Sequence, residues 1–318
     1  MGPRKFVRFL IAAALLVLAA RPSAGQAFLP AAGTGTLSVS FQSVHTSPQL
    51  DVNGVKGVAP DGTSDITDAQ ALIWHLEYGL TEKLAVHASL PFIMARYKGA
   101  SAHPVGRDLQ PSDHDDGTYH GAFQDFYFGV RYALVRSPGI SVAPFVEVVI
   151  PSHRYETVAQ SAVGRDLRML LVGSAVGGFL DGILPGLYYQ TRISYGIAQD
   201  ALDIRTNRTG IDSAVGYFVN PRFAVQFVQT FHYVHNGIYF IFEPQPDAGV
   251  SGGGPLTPVE TYLYHDQLLR SRAVTLGGGV TYALGDSIGL FGTATTMAWG
   301  RSLQQPVRSL TVGMNWGF

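Results

Sequence analysis

The chain has 318 residues, a formal net charge of −1 and no cysteine. That balance argues against nucleic acid as a partner, and the missing thiols exclude a disulfide framework, a thiolate metal site and a lipidated cysteine. Charged residues make up only 14%, against roughly 25% in soluble domains.

In chain order, residues 1–8 carry Arg4, Lys5 and Arg8 and no acid, and residues 9–20 are the apolar run FLIAAALLVLAA. Small residues follow in RPSAGQA. This is the pattern of a secretory signal peptide over residues 1–25, cut near Gly25/Gln26 or after Ala27. The run is too short for a spanning helix, which needs about 20 residues. Cleavage would remove Arg4, Lys5, Arg8 and Arg21 and no acid, leaving a more acidic chain. No later run reaches the length of a spanning helix, so residues 26–318 read as one domain without such a helix.

From residue 36 onward the sequence alternates in hydrophobicity with period two, the mark of strands. The expected segments are 36–47, 67–80, 84–98, 120–135, 140–154, 166–180, 187–199, 207–219, 223–236, 266–283, 288–300 and 306–318. They are long enough for tilted crossings of about 9–11 residues. Short connections at 79–83, 136–139, 181–186, 219–222 and 284–287 hold Gly, Pro, Asn or Asp, as tight turns require. Longer ones fall at 48–66, 99–119, 155–165 and 237–265, with shorter members at 200–206 and 301–305. Short and long connections alternating, in an exported chain without cysteine, predict an all-β fold. It is a transmembrane antiparallel up-and-down barrel of about twelve strands in a bacterial outer membrane, with lipid outside it.

The strands also sort into faces. Leu84, Val86, Ala88, Leu90 and Phe92 are expected outward, as are Gln124, Phe126, Phe128, Val130, Tyr132 and Leu134. Charged residues within strands fall on the other parity: Glu77, Asp125, Arg131, Glu147, Arg168, Arg192 and Asp212, with His75 and His87. These are the expected lumen residues. They either pair across strands to fill a narrow interior or line a pathway and set its selectivity. Asp125 and Arg131 are six residues apart on one face, roughly 20 Å along a strand, too far to pair. Glu147 on the next strand is the expected partner of Arg131. Trp74, Tyr78, Trp299, Trp316, Phe318 and the Tyr217/Phe218 pair lie toward strand ends, as interface girdles do. The terminal strand LTVGMNWGF closes on Phe318, which resembles the C-terminal aromatic signature read by bacterial barrel-assembly machinery.

Catalytic constellations are weak. In FHYVHNGIYF, residues 231–240, His232 and His235 fall on opposite strand faces, and neither has a serine two residues on. SDHDDGTYH, residues 112–120, has carboxylates for a divalent cation but not the ligand positions of a calcium loop, and reads as a solvated acidic loop. SGGG at 251–254 lacks the strand-and-helix setting of a phosphate loop. No catalytic residue, metal or cofactor is expected.

Two stretches together carry a resemblance: YGLTEKLAVHASLPF (78–92) and GAFQDFYFGVRYAL (121–134), the second with the spacing G-x-x-x-D-x-x-x-G-x-R-Y. In this order they resemble the outer-membrane family labelled MetA-pathway of phenol degradation proteins. The matching pattern positions are Asp125, Gly129, Arg131 and Tyr132. The resemblance implies a barrel through which aromatic or otherwise apolar small molecules pass, and it supplies no site residues. The 237–265 insertion departs from that pattern. The expected function is an outer-membrane channel or diffusion pathway for small-molecule solutes. The alternatives are a closed structural or surface-interaction barrel and, behind it, a lipid-acting enzyme.

Overall fold

The computed structural model describes residues 27–57, 66–99, 104–105, 110–239, 264 and 267–318. The expected signal peptide and most of the 237–265 loop lie outside the described residues.

Twelve long antiparallel strands form one closed sheet. They are β1 (Gly35–Leu50), β2 (Ile66–Gly79), β3 (Leu84–Lys98) and β4 (His120–Phe123 and Asp125–Tyr132). Next come β5 (Ser141–Pro151), β6 (Met169–Phe179), β7 (Leu187–Ala198) and β8 (Arg208–Asn220). The last four are β9 (Phe223–Val234), β10 (Arg272–Ala283), β11 (Ile288–Arg301) and β12 (Leu303–Gly317). Each strand pairs with its sequence neighbours, and β12 returns to β1 in the register Thr36↔Gly317 through Leu50↔Leu303. Phe318 completes the seam: its carbonyl accepts from the Gly35 N–H at 2.8 Å, and its own N–H donates to the Gly35 carbonyl at 3.0 Å. Closure leaves no edge in lipid. Among the described residues no helix is long and apolar enough to cross a membrane, which says nothing of a β-barrel.

The exterior is apolar. Leu76, Phe128, Val130, Val148, Ile193, Phe227, Leu310 and Val312 are all exposed on outward parity. A contiguous apolar surface of this kind belongs in lipid.

Four expectations need correction. Gln124 does not face lipid. The registers Phe92↔Phe123 and Ser89↔Tyr127 leave it as an extra residue of β4. This is a β-bulge, which resets the parity of the strand. The stretch 301–305 is not a loop: Ser302 alone turns the chain, in the left-handed region at φ 52°. Leu303 then packs against the cluster of Leu50, Ala273 and Met297. The strand expected from 266 begins at Arg272, because Leu268 and Leu269 are buried in the loop packing instead. Phe218 faces inward, tilted against Phe179 and Tyr188 with ring centroids 6.4 and 5.3 Å away, so it is not part of the girdle. Trp316 and Phe318 are half exposed, with ring centroids 5.8 Å apart.

Candidate functional site

Alternation places a belt of charge inside the barrel, on one side of it. Glu77, His87, Gly129 and Glu147 stand in one row across β2, β3, β4 and β5. The His87 imidazole crosses the intervening strand to reach Glu147, Nε2 to Oε2 at 2.7 Å. It can do so only because Gly129 lies between them: a Cβ there would sit 2.5 Å from the His87 ring and 2.9 Å from the Val146 carbonyl. Glu147 also accepts from Arg192 of β7 at 3.3 Å. The Arg192 guanidinium lies 4.3 Å from the centre of the Phe145 ring, and that ring in turn reaches Gly173 of β6, where a Cβ would lie 2.6 Å from its Cζ. His87 and Phe145 thus each lie against a glycine of the next strand, as Tyr188 does against Gly216.

Arg131 does not bridge to Glu147. Its guanidinium donates to Glu77, crossing β3 above the buried Ala85. Counting from the turn could not reveal this, because direction of reach is decided by which neighbouring strand carries the small residue. The side chains of Arg131, Glu77, His87 and Glu147 are 8, 14, 6 and 8% exposed. These groups are a dry network, and burial of a charge is tolerated only when it is paired in this way. His75 packs beside His87, ring centroids 5.9 Å apart. Asp212 stands opposite Arg192 in the β7–β8 register. A cavity of about 150 Å³ touches Gln190, Arg192, Asp212, Val228 and Thr230.

Two expected lumen residues have other places. Arg168 is exposed just before β6, on the parity of the lipid-facing Leu170 and Val172. Asp125 faces inward but holds a loop: it accepts from the Tyr155 hydroxyl, which also accepts from the Asp166 N–H at 2.9 Å. Burial first, and then the bond to Asp125, push the Tyr155 hydroxyl up, so it stays protonated and donates.

The other side of the lumen is different. From β10 through β12 to β1 the inward residues include Thr275, Gly277, Gly279, Thr281, Thr293, Thr295, Ser309, Thr311, Gly313, Ser40 and Gln42. None is charged and all are partly exposed. Phe291, a large inward side chain, reaches Gly313, and Met297 and Leu303 pack with Leu50 and Ala273.

Both mouths are narrowed. At the short-turn end, residues 27–34 cross the opening. Ala27 and Leu29 bury themselves on the inward alanines 85, 133, 143 and 175. Ser141 Oγ donates to the Ala27 carbonyl at 2.6 Å, and Phe28 meets Phe179 at 6.1 Å between centroids. At the loop end, residues 152–168 reach from β5 and β6 to the far wall. There Thr67 and Gln304 donate to Gln160, at 3.3 Å to its carbonyl and 3.0 Å to its Oε1. Sequence alone could not place either segment, since neither has a period.

The acidic loop does not assemble a cation site; among the described residues no group of three or more His, Asp or Glu is placed to hold a metal. Asp115 clamps the 152–168 loop through the N–H groups of Gln160 and Ser161, both at 3.0 Å. Asp116 bonds His120 at 2.9 Å, which with the Thr118 bonds holds its carboxyl down at about 2. His232 and His235 do lie on opposite faces, bonded to Ser271 at 3.1 Å and Thr209 at 2.8 Å.

No family model matches the chain, and no curated protein matches it. The label of the phenol-degradation family therefore rests on the resemblance alone. Solved structures do match. An outer membrane channel of the COG4313 group from Pseudomonas putida F1 superposes with a TM-score of 0.65 at 12% identity, covering 93% of this chain and 99% of that one. The NanC porin aligns at 0.49 and 12%, over 88% and 98% of the two chains. The TodX monoaromatic hydrocarbon channel, as a deletion mutant, aligns at 0.39 and 10%, over 94% and 92%. At these identities the likeness is one of fold.

Proposed function

We propose that this barrel is an outer-membrane diffusion channel for small molecules, its short turns in the periplasm and its long loops outside. The observation that carries the reading is the uneven lumen. Charged side chains are packed and buried on β2–β7, while the arc β10–β12 and β1 turns uncharged, partly exposed Thr, Ser and Gly inward. A barrel built only for stability would have both sides interlocked. The fold shared with an outer membrane channel supports the reading.

The solute is a small molecule with an aromatic or apolar body and a polar group. Phe179 and Phe218, partly exposed, turn ring surface inward near the short-turn end, and the uncharged Thr, Ser and Gly of the open arc ask for no counter-charge on the solute. Phe318, last in the seam, is the residue we assign to recognition by the barrel-assembly machinery. The test is uptake by liposomes of phenol, toluene and a neutral sugar, with and without the protein. Faster entry of phenol than of sugar supports the reading.

The closed-barrel alternative has one observation in its favour, the segment 27–34 across the short-turn mouth. Protein-independent uptake of all three probes would select it.

A further inference from the structure

We propose that the outer wall of β9–β11 binds the phosphate of an anionic lipid headgroup at the loop-end rim. Three arginines gather there on outward parity or just above it. Tyr233, Arg272 and Arg301 stand side by side in the register of β9, β10 and β11. Arg272 and Arg301 place their guanidinium carbons 5.9 and 5.7 Å from the centre of the same ring, Trp299. Arg270 donates to the Tyr233 hydroxyl at 3.4 Å. Among the described residues none of the three arginines makes an ion pair.

The opposite sector shows how this chain treats an arginine at that height when nothing else is to be bound. Arg96 on β3 is held by Asp68 of β2 through two bonds, of 3.0 and 2.8 Å, and is capped by the Tyr119 ring at 4.6 Å. Among the described residues the β9–β11 patch has the ring and the cations but no carboxylate; Arg301 Nη1 donates to the Val52 carbonyl at 3.3 Å. Like charges clustered without a counter-charge repel, and an anion that approaches from the membrane removes that repulsion. The planar guanidinium fork matches phosphate oxygens. Trp299, 42% exposed, sits where an interfacial indole lies beside headgroups. Free phosphate has the same chemistry, but the patch opens on the lipid-facing wall, so the lipid is its source.

This inference rests on the membrane reading above. The chain has three tryptophans, so a Trp74→Phe/Trp316→Phe background leaves Trp299 as the only reporter. The barrel is reconstituted in phosphatidylcholine vesicles, and Trp299 quenching by brominated phosphatidic acid is compared with quenching by brominated phosphatidylcholine. Quenching by the phosphatidylcholine probe, with heat-modifiable migration, reports insertion by itself. The expected result is a preference for phosphatidic acid of at least about threefold. It should be lost in Arg270→Gln/Arg272→Gln/Arg301→Gln, reduced in Arg272→Gln alone, and retained in millimolar inorganic phosphate. Equal quenching by the two lipids, or a preference that survives the triple substitution, overturns the site. A preference erased by inorganic phosphate assigns it to a free anion and overturns the lipid.

Discussion

On β3–β5 the inward side chains touch one another, whereas along the middle of β10–β12 they are mostly small, uncharged and partly exposed. His87 lies on Gly129 and bonds Glu147, and Arg131 spans Ala85 to Glu77. Across the lumen Thr293 faces Thr311, and Thr311 faces Gln42, in plain register. The first wall spends its small residues as beds for large ones; the second, apart from Gly313 beside Phe291 and the buried Ala273–Met297 cluster, leaves its small residues partly exposed. The difference teaches that glycine inside this barrel has two meanings. Beside a long side chain it is a contact, and beside Thr or Ser it is room.

Breaking the packed wall should have the largest effect. Arg131→Ala leaves the Glu77 carboxylate buried without its partner and should destabilise by about 3–5 kcal/mol, read as a shift of the denaturant midpoint in detergent. Adding Glu77→Ala should recover part of that loss. Full additivity in this cycle would mean that the two side chains do not interact.

Gly129→Ala is the next test. Its Cβ would press on the His87 ring and on the backbone oxygen of Val146, and backbone cannot move aside cheaply. A loss of about 1–3 kcal/mol is expected, the usual range for overpacking. Ala85→Gly on the same wall offers a contrast, since it removes the support beneath Arg131 without a clash. An unchanged midpoint for Gly129→Ala would show that His87 does not depend on that glycine.

On the open wall, Thr293→Val should leave stability within about 0.5 kcal/mol. Thr293→Trp should do little to stability but cut single-channel conductance several-fold. If conductance holds while stability falls, this wall is packed and the comparison collapses.

The smallest effect belongs to an ion pair in water. Asp116 is lowered below its ordinary 3.8, to about 2, chiefly by His120. A depressed acid contributes above its ordinary value and loses that contribution as pH falls through about 2. Because the group is fully exposed, Asp116→Asn should give no measurable change in midpoint at neutral pH. Carbon-13 titration of the carboxyl should show the low midpoint. An ordinary midpoint would mean that the His120 bond is not held in solution.

Much of this was legible in the sequence. Every strand announces itself by alternation, because one face meets lipid and the other does not. The same alternation put Glu77, His87, Arg131, Glu147, Arg192 and Asp212 on the inner face. What alternation cannot carry is reach across strands. The Arg131–Glu77 pair depends on Ala85 lying between them, and the His87–Glu147 pair on Gly129, both of which are facts of register. The bulge at Gln124 adds one residue without changing the composition, so it was invisible. Arg168 carries the charge expected of a lumen residue but lies just before β6, on the parity of the outward Leu170 and Val172.

The central claim is that water and solute run along β10–β12 and β1, not along β3–β5. The chain has no cysteine, so single cysteines can report this directly. Thr293→Cys and Val149→Cys, inward residues of the two walls, are exposed to a charged thiol-reactive reagent in the reconstituted barrel. The account predicts rapid modification at 293, with a fall in conductance, and slow modification at 149, whose native side chain is 2% exposed. Equal rates at the two positions, or protection at 293, would contradict it.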